Sequence, residues 1–209
     1  MTEAKFGRYP QDPKAYVNGK RISIVDGKPQ FNPLEQQPIE WLVLVEEEDK
    51  MLLLSKYALE YLPFNDWTAD VTWESCTIRG WLNGTFNYQN ANSDEVSFLD
   101  NCFSEEERNQ IIPHVETGDK VFLLSLGEVL QYLPSNFFRK CLPTTYAVSR
   151  LPETHKYNEG DICTWWLRTE SAEKKGFIMT INQKGMYCEH GVMVSMKGIG
   201  VRPALLIKK

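Results

Sequence analysis

The sequence has few cysteines, and none of them form a C-x-x-C pair. The five cysteines, an odd number, argue against a disulfide framework and against a zinc knuckle. We therefore expect reduced, mostly buried thiols, no metal and no other cofactor. The cysteines are Cys76, Cys102, Cys141, Cys163 and Cys188.

Long apolar runs and basic clusters are also missing. No run of about eighteen apolar residues occurs, and residues 1–5 lack the apolar region of a signal peptide. We therefore expect a soluble cytoplasmic protein without a membrane partner, or an extracellular one if a signal has been removed. The 23 basic and 28 acidic residues give a net charge of −5. No window concentrates Lys or Arg, so we do not expect a nucleic-acid partner.

The composition is that of a globular protein rich in aromatic residues. Hydrophobic residues make up 42% and charged residues 24%, near the globular average, while 12% aromatic residues favour sheet-rich packing. No repeat or linker-like segment interrupts the chain, so we predict a single domain over 1–209. We also predict a hairpin excursion at 12–37, where Asn18-Gly19 and Asp26-Gly27 supply turn signals.

Strand patterns predominate over helical ones. The clearest hairpin joins the apolar runs 39–45 and 50–55 through an acidic turn. Further strands are predicted at 120–125, 165–167, 177–181 and 201–207. Short helices are predicted at 56–61, 73–83, 105–112 with a Ser104–Glu107 capping box, and 126–133. We therefore predict an α+β fold, with a few short helices around a twisted, mainly antiparallel sheet.

Two arginines lie in apolar strand surroundings, where a charge must be paired. We favour a structural role for Arg168 and Arg202, in which they bond loop carbonyls or the carboxylates of Glu74 or Asp119. The alternative is that their guanidinium groups bind an anionic ligand. The predicted structural core consists of Trp41, Trp73, Trp81, Trp165, Trp166, Arg168 and Arg202.

Several motifs, in this order, resemble one family of uncharacterised bacterial domains. They are FGRYPQ at 6–11, PIEW at 38–41, LLSKYAL at 53–59, FSEEE at 103–107, DKVFLLS at 119–125, WWLR at 165–168 and GVRPAL at 200–205. The family has no assigned activity. Its span implies that the N-terminal piece belongs to the same domain.

The closing half resembles, more remotely, the C-type-lectin-like fold shared with formylglycine-generating enzymes. In that fold a Trp-Arg strand and a terminal Gly-x-Arg strand bracket a loop-bearing meander. The resemblance implies a C-type-lectin-like core, with any ligand bound by loops between Thr169 and Ile199. Calcium is not expected, because the Glu-Pro-Asn and Trp-Asn-Asp triplets of calcium-dependent lectins are absent.

Four residues in those loops are candidates for ligand binding. Sugar sites combine a stacking aromatic ring with amide or carboxylate partners, and Tyr187 with Asn182, Glu189 and His190 supplies such a set. The alternative is that all four are ordinary solvated loop and edge positions.

No catalytic set is recognisable. The three histidines, His114, His155 and His190, are far apart in sequence, and no serine lies in a Gly-x-Ser-x-Gly elbow. We therefore expect a non-catalytic binding or interaction module for a carbohydrate or protein ligand.

Two alternatives remain open. The resemblance to formylglycine-generating enzymes implies a cysteine-dependent oxidase, in which Cys163 and Cys188 would approach each other. A structural or assembly domain would instead expose an apolar patch near the excursion at 12–37.

Overall fold

The computed structural model describes residues 2–11, 36–85, 97–151 and 160–209, and the backbone of four short strands between 16 and 29. In chain order the elements are β1 (Glu3–Tyr9), β2 (Tyr16–Val17), β3 (Lys20–Arg21), β4 (Ile24–Val25), β5 (Lys28–Pro29), β6 (Gln37–Glu46), β7 (Lys50–Ser55), β8 (Glu60–Tyr61), a 3₁₀ turn (Trp73–Ser75), α1 (Thr77–Asn83), α2 (Phe98–Cys102), α3 (Glu105–Gln110), β9 (Ile111–Ile112), α4 (Leu126–Tyr132), α5 (Asn136–Arg139), α6 (Thr145–Ser149), β10 (Trp165–Glu170), β11 (Phe177–Ile181), β12 (Tyr187–Met193), β13 (Gly200–Val201) and β14 (Ala204–Lys208). The mixture of short helices and sheets confirms the α+β class.

The first five-stranded sheet is antiparallel and has the order β1-β6-β7-β14-β9. The predicted hairpin of β6 and β7 is confirmed, with Val43 opposite Leu53. The C-terminal strand β14 then pairs with β7 from Ala204 opposite Leu54 to Lys208 opposite Lys50. The chain's last strand therefore lies inside this sheet, next to the hairpin.

The second five-stranded sheet has the order β12-β11-β10-β13-β8. Its pairings are antiparallel except that β10 and β13 run parallel, with Trp165 beside Gly200. Only Arg202 and Pro203 separate β13 from β14, which belongs to the first sheet. The single strand predicted at 201–207 is therefore wrong, because the chain crosses from one sheet to the other at Arg202.

The excursion predicted at 12–37 falls largely outside the described residues. Its described backbone forms two antiparallel ribbons of two-residue strands, β2 with β3 and β4 with β5.

Two other local predictions are wrong because distant partners decide the backbone. Residues 56–61 form no helix, since the amide of Leu59 donates to the carbonyl of Val201 (2.9 Å) and that of Ala58 to Leu142 (3.0 Å). Residues 120–125 are largely buried but form only one bridge, Phe122 with Ala204. Helical and strand propensity yield to tertiary contacts at both places.

The helix starts follow local chemistry. The predicted Ser104–Glu107 capping box is confirmed at the start of α3, where Ser104 accepts from the Glu107 amide and Glu107 accepts from the Ser104 amide. A second capping box, Ser125 with Glu128, begins α4. Among the described helices, none has the length and apolarity of a membrane-spanning segment.

Tryptophans occupy the centre of the fold. Trp41, Trp165 and Trp166 are fully buried, Trp73 is nearly so, and Trp81 is half-buried against the core. The buried indole N–H groups all find acceptors, as a buried tryptophan requires. The acceptors are the carbonyls of Phe6, Arg139 and Leu62 for Trp41, Trp165 and Trp166, and the Asp119 carboxylate for Trp73.

Candidate functional site

The turn between β11 and β12 carries the first two predicted ligand residues. Asn182 is half-buried, and its Oδ1 accepts hydrogen bonds from the amides of Lys184 (2.9 Å) and Met186 (3.1 Å). Tyr187 begins β12, the edge strand of the second sheet, and is exposed. The amide oxygen of Asn182 therefore holds the turn, while the tyrosine ring faces solvent.

Glu189 and His190 follow on the same strand and are both exposed. The pairing of β12 with β11 shifts register between Cys188 and Val192, so the regular alternation of side chains does not hold across Glu189 and His190. The imidazole Nδ1 of His190 lies 2.6 Å from a carboxylate oxygen of Glu173. The structure therefore places Tyr187, Glu189 and His190 on one edge strand, with His190 bound to Glu173.

Helix α5 packs directly against this turn. Gly185 has a φ of +78°, and a Cβ there would overlap the carbonyl of Asn136, the first residue of α5. The two phenylalanines that follow Asn136 are exposed, Phe137 by 75% and Phe138 by 45%, with their ring centroids 5.7 Å apart. Met186 and Tyr187 are exposed on the other side of the contact. We call Phe137, Phe138, Met186 and Tyr187 the aromatic surface.

The backbone beneath the aromatic surface is anchored in the core. The Nε of Arg139, at the end of α5, donates to the Leu133 carbonyl (2.7 Å), and the Arg139 carbonyl accepts from the indole of Trp165 (2.9 Å). Arg139 is itself buried. The exposed phenylalanines therefore sit on a fixed support. No sequence pattern indicates this exposure, because two adjacent phenylalanines are as typical of a core as of a surface.

A cleft of about 260 Å³ lies beside β7, β9 and β14, under α4. His114 reaches it, with Nε2 2.9 Å from a carboxylate oxygen of Glu128 and its ring 4.3 Å from that of Phe122. The hydroxyl of Thr117 lies 3.5 Å from Nδ1 of the same ring. Among the described residues, no group of three or more His, Cys, Asp or Glu side chains is placed to hold a metal ion.

Glu128 is held by the protein itself. Burial acts to raise its pKa, but the ion pair with Arg168 and the hydrogen bond from the Ser125 amide (2.6 Å) outweigh burial and lower it. Arg168 also donates to the carbonyl of Leu123 (2.8 Å) and to Glu116 (2.9 Å). The Glu128 carboxylate beside the cleft is therefore ionised, and the positive charge of Arg168 balances its negative charge.

The partners predicted for Arg168 need correction. Asp119 accepts instead from Arg79 Nε (2.9 Å) and from the Trp73 indole (2.7 Å), and Glu74 accepts from the hydroxyl of Thr72. The capping box at Ser125 was the available signal, since it places the Glu128 carboxylate at a helix start.

Within the described part of the chain, no carboxylate pairs with Arg202. Its Nε donates to the Ser55 carbonyl (2.9 Å), and its guanidinium lies 5.0 Å from the ring centre of Trp165. Only 1% of the residue is exposed, and its Nη1 has no hydrogen-bond partner among the described residues. The chain thus buries a cation with spare donor capacity where it crosses between the sheets.

Two cysteines lie next to this cation. The amide of Cys163 donates to the carbonyl of Cys141 (2.8 Å), and the Cys141 thiol donates to the carbonyl of Leu142 (3.4 Å). Cys188 lies on β12, and β11 separates it from β10, which follows Cys163. Two strand spacings are about 10 Å, beyond the reach of a disulfide. Cys163 is therefore paired with Cys141 and not with Cys188, the residue that the oxidase hypothesis required.

Residues 48–209 match a protein family described as "Domain of unknown function (DUF6273)". The chain belongs to this family. No curated protein and no solved structure matches the chain. The matched range of the DUF6273 family contains the aromatic surface, the Cys141–Cys163 pair and most of the cleft lining, while Val45 and Glu47 of the cleft precede it. The motifs at 6–11 and 38–41 precede it, yet β1 and β6, which carry most of them, complete the first sheet.

Proposed function

We propose that this protein is a non-catalytic binding module whose aromatic surface docks an apolar segment of a protein partner. The exposure of Phe137 by 75%, on a helix anchored to buried Trp165, carries the proposal. Large aromatic side chains held rigidly in solvent are typical of the centres of protein interfaces. Ordering such a surface on binding costs little, because its backbone is already fixed.

A protein partner fits this surface better than a sugar does. Sugar binding needs several polar groups around the stacking ring, and the amide oxygen of Asn182 is already occupied by its own turn. The imidazole Nδ1 of His190 is already engaged by the Glu173 carboxylate. Met186 and Tyr187 directly follow Gly185, which meets the start of α5, and their exposed side chains suit apolar contact.

We also propose that the core is C-type-lectin-like. The Trp-Arg strand β10 and strand β13, which Arg202 follows, bracket β11 and β12 in the sequence and pair with each other, and this supports the assignment. An experimental structure that placed these two strands in different sheets would contradict it.

The test is site-specific photo-crosslinking in cells that naturally produce the chain. A photoreactive residue replaces Phe137 or Tyr187, and a control chain carries it at Glu105, exposed on α3. We expect one shared protein adduct at 137 and 187 that is absent at 105. The purified adduct protein should bind the wild-type chain and lose at least about tenfold in affinity for Phe137→Asp, as a central aromatic contact predicts.

A matched control separates this surface from the rest of the molecule. Val115 is 93% exposed beside the cleft, so Val115→Asp should leave the affinity unchanged. No adduct above the level at 105 would argue against a protein partner. A glycan array on which the purified chain binds a sugar, with binding lost in Tyr187→Ala, would establish the carbohydrate alternative instead.

A further inference from the structure

The pair of buried thiols beside Arg202 has no part in the proposed binding function. Cys141 and Cys163 are 2% and 4% exposed, and the backbone hydrogen bond of 2.8 Å between them fixes their separation. Disulfides join cysteines whose Cα atoms lie about 4.4–6.8 Å apart. Because a backbone hydrogen bond directly joins Cys141 and Cys163, the two residues are neighbours in the fold.

Arg202 is the second observation that marks this pair. Its buried Nη1 donor lacks a partner among the described residues, and its positive charge acts on both thiols. A buried unpaired donor is costly unless it serves a partner in another state of the protein. A thiolate at Cys141 is such a partner.

We propose that Cys141 and Cys163 form a peroxide-sensitive dithiol, which hydrogen peroxide converts to an intramolecular disulfide. The Cys141 thiolate attacks one peroxide oxygen, the O–O bond breaks, and the sulfur becomes a sulfenic acid while hydroxide leaves and is protonated to water. The Cys163 sulfur then attacks the sulfenic sulfur, the S–O bond breaks, and the departing hydroxide takes the Cys163 thiol proton. Two thiols lose two electrons, and one peroxide becomes two waters.

The electrostatics assign the two roles. Burial opposes the thiolate of Cys141, but the interaction with Cys163 and the charge of Arg202 outweigh burial and lower its pKa. The hydrogen bond to Cys141 and burial raise the pKa of Cys163 well above its ordinary value. Cys141 is therefore the attacking sulfur and Cys163 the resolving one.

The test begins with the reduced, purified full chain. After treatment with hydrogen peroxide, free thiols are alkylated under denaturing conditions and the peptides are identified by mass spectrometry. We expect the Cys141–Cys163 peptide pair, lighter by two hydrogens, at a yield at least about tenfold above any other pairing, since the other cysteines lie in separate elements. Dithiothreitol should abolish it. In Cys163→Ser, dimedone should label Cys141, whereas Cys188→Ser should leave the disulfide yield unchanged.

The same digest supplies its own control. Met186 is 43% exposed and reports, as its sulfoxide, that enough peroxide was present. Recovery of both Cys141 and Cys163 in alkylated form from a sample with oxidised Met186 would overturn the proposal. Preferential pairing of either cysteine with Cys76, Cys102 or Cys188 would overturn it as well.

Discussion

Arg168 on β10 and Glu128 at the start of α4 form an ion pair that is almost closed to solvent, with the arginine side chain 6% exposed. Arg168→Met removes the cation and leaves the carboxylate with only Ser125 and His114 as partners. Breaking one side of a buried pair costs about 3 kcal/mol or more in the free energy of unfolding. Urea unfolding with linear extrapolation measures this loss.

An exposed ion pair supplies the control. Lys175 and Asp70 lie 3.1 Å apart, with their side chains 89% and 56% exposed. Lys175→Met should change the free energy of unfolding by no more than about 0.5 kcal/mol, because solvent screens such pairs. Equal losses in Arg168→Met and Lys175→Met would show that burial of the first pair is unimportant.

Glu128 should make stability fall in acid. Its pKa is lowered in the folded state because the contacts from Arg168 and Ser125 outweigh burial. The unfolded chain therefore binds this proton more readily, so the stabilisation is present above a pH of about 4.3 and is lost as the pH falls through the folded pKa. Glu128→Gln should be less stable at neutral pH and should flatten that acid limb in urea titrations at successive pH values. An unchanged acid slope would contradict the assignment.

Glu60 should have the opposite effect on stability, which it should lower as the pH rises. Burial raises its pKa, although Arg150 and the hydroxyl of Tyr9, at 2.6 Å, oppose that rise. The folded protein therefore favours the protonated acid. This stabilisation is full below a pH of about 4.3 and is lost as the pH rises through the raised folded pKa.

Glu60→Gln places a side chain of similar size there that stays neutral at every pH, and should therefore remove the loss of stability at higher pH. Its free energy of unfolding relative to wild type should rise as the pH increases from about 4.3. Carboxyl NMR titration of Glu60 in the wild type is an independent check. A midpoint at or below the ordinary glutamate value would rule out the effect.

The Ser104 capping box ties α3 to the chain that precedes it. Ser104→Ala removes the acceptor for the Glu107 amide (3.2 Å) and should cost about 1 kcal/mol in urea unfolding. Ser135 provides a matched control, because it occupies the same position before α5 but makes no side-chain capping bond. Ser135→Ala should therefore change the free energy of unfolding by only about 0.3 kcal/mol or less. Equal losses would contradict the capping role.

Features set by neighbours in sequence were predictable. The β6–β7 hairpin depends on two apolar runs joined by a short turn, and the Ser104 cap on residues three positions apart. Features set by distant partners were not. Leu59 extends because Val201 accepts its amide, and Cys141 meets Cys163 through a backbone bond between segments 22 residues apart. No local pattern encodes either contact.

The candidate site shows the same division. Tyr187 was singled out as the stacking ring of a ligand site, and the structure places it exposed at the start of the edge strand β12. Phe137 was not, because its exposure depends on how α5 is fixed by Trp165 and Gly185. The acceptor of Arg168 was also missed, since charge alone could not choose among carboxylates far apart in the sequence.

Gly185 joins the turn between β11 and β12 to α5, and both segments carry residues of the aromatic surface. Its φ of +78° disfavours any side chain, and a Cβ would overlap the carbonyl of Asn136. Gly185→Ala therefore has two costs, about 1 kcal/mol for the backbone conformation and about 1–3 kcal/mol for forcing the turn away from α5.

Gly118→Ala isolates the second cost. Gly118 has a similar φ of +71°, but its Cβ would meet nothing within 4 Å, so only the conformational loss of about 1 kcal/mol applies. We expect Gly185→Ala to unfold at a clearly lower urea concentration than Gly118→Ala. We also expect Gly185→Ala to weaken binding of the partner identified by crosslinking, since it moves Met186 and Tyr187 away from Phe137 and Phe138. If the two variants were equally stable, the turn would be free to move from α5, and the aromatic surface would not be a fixed platform.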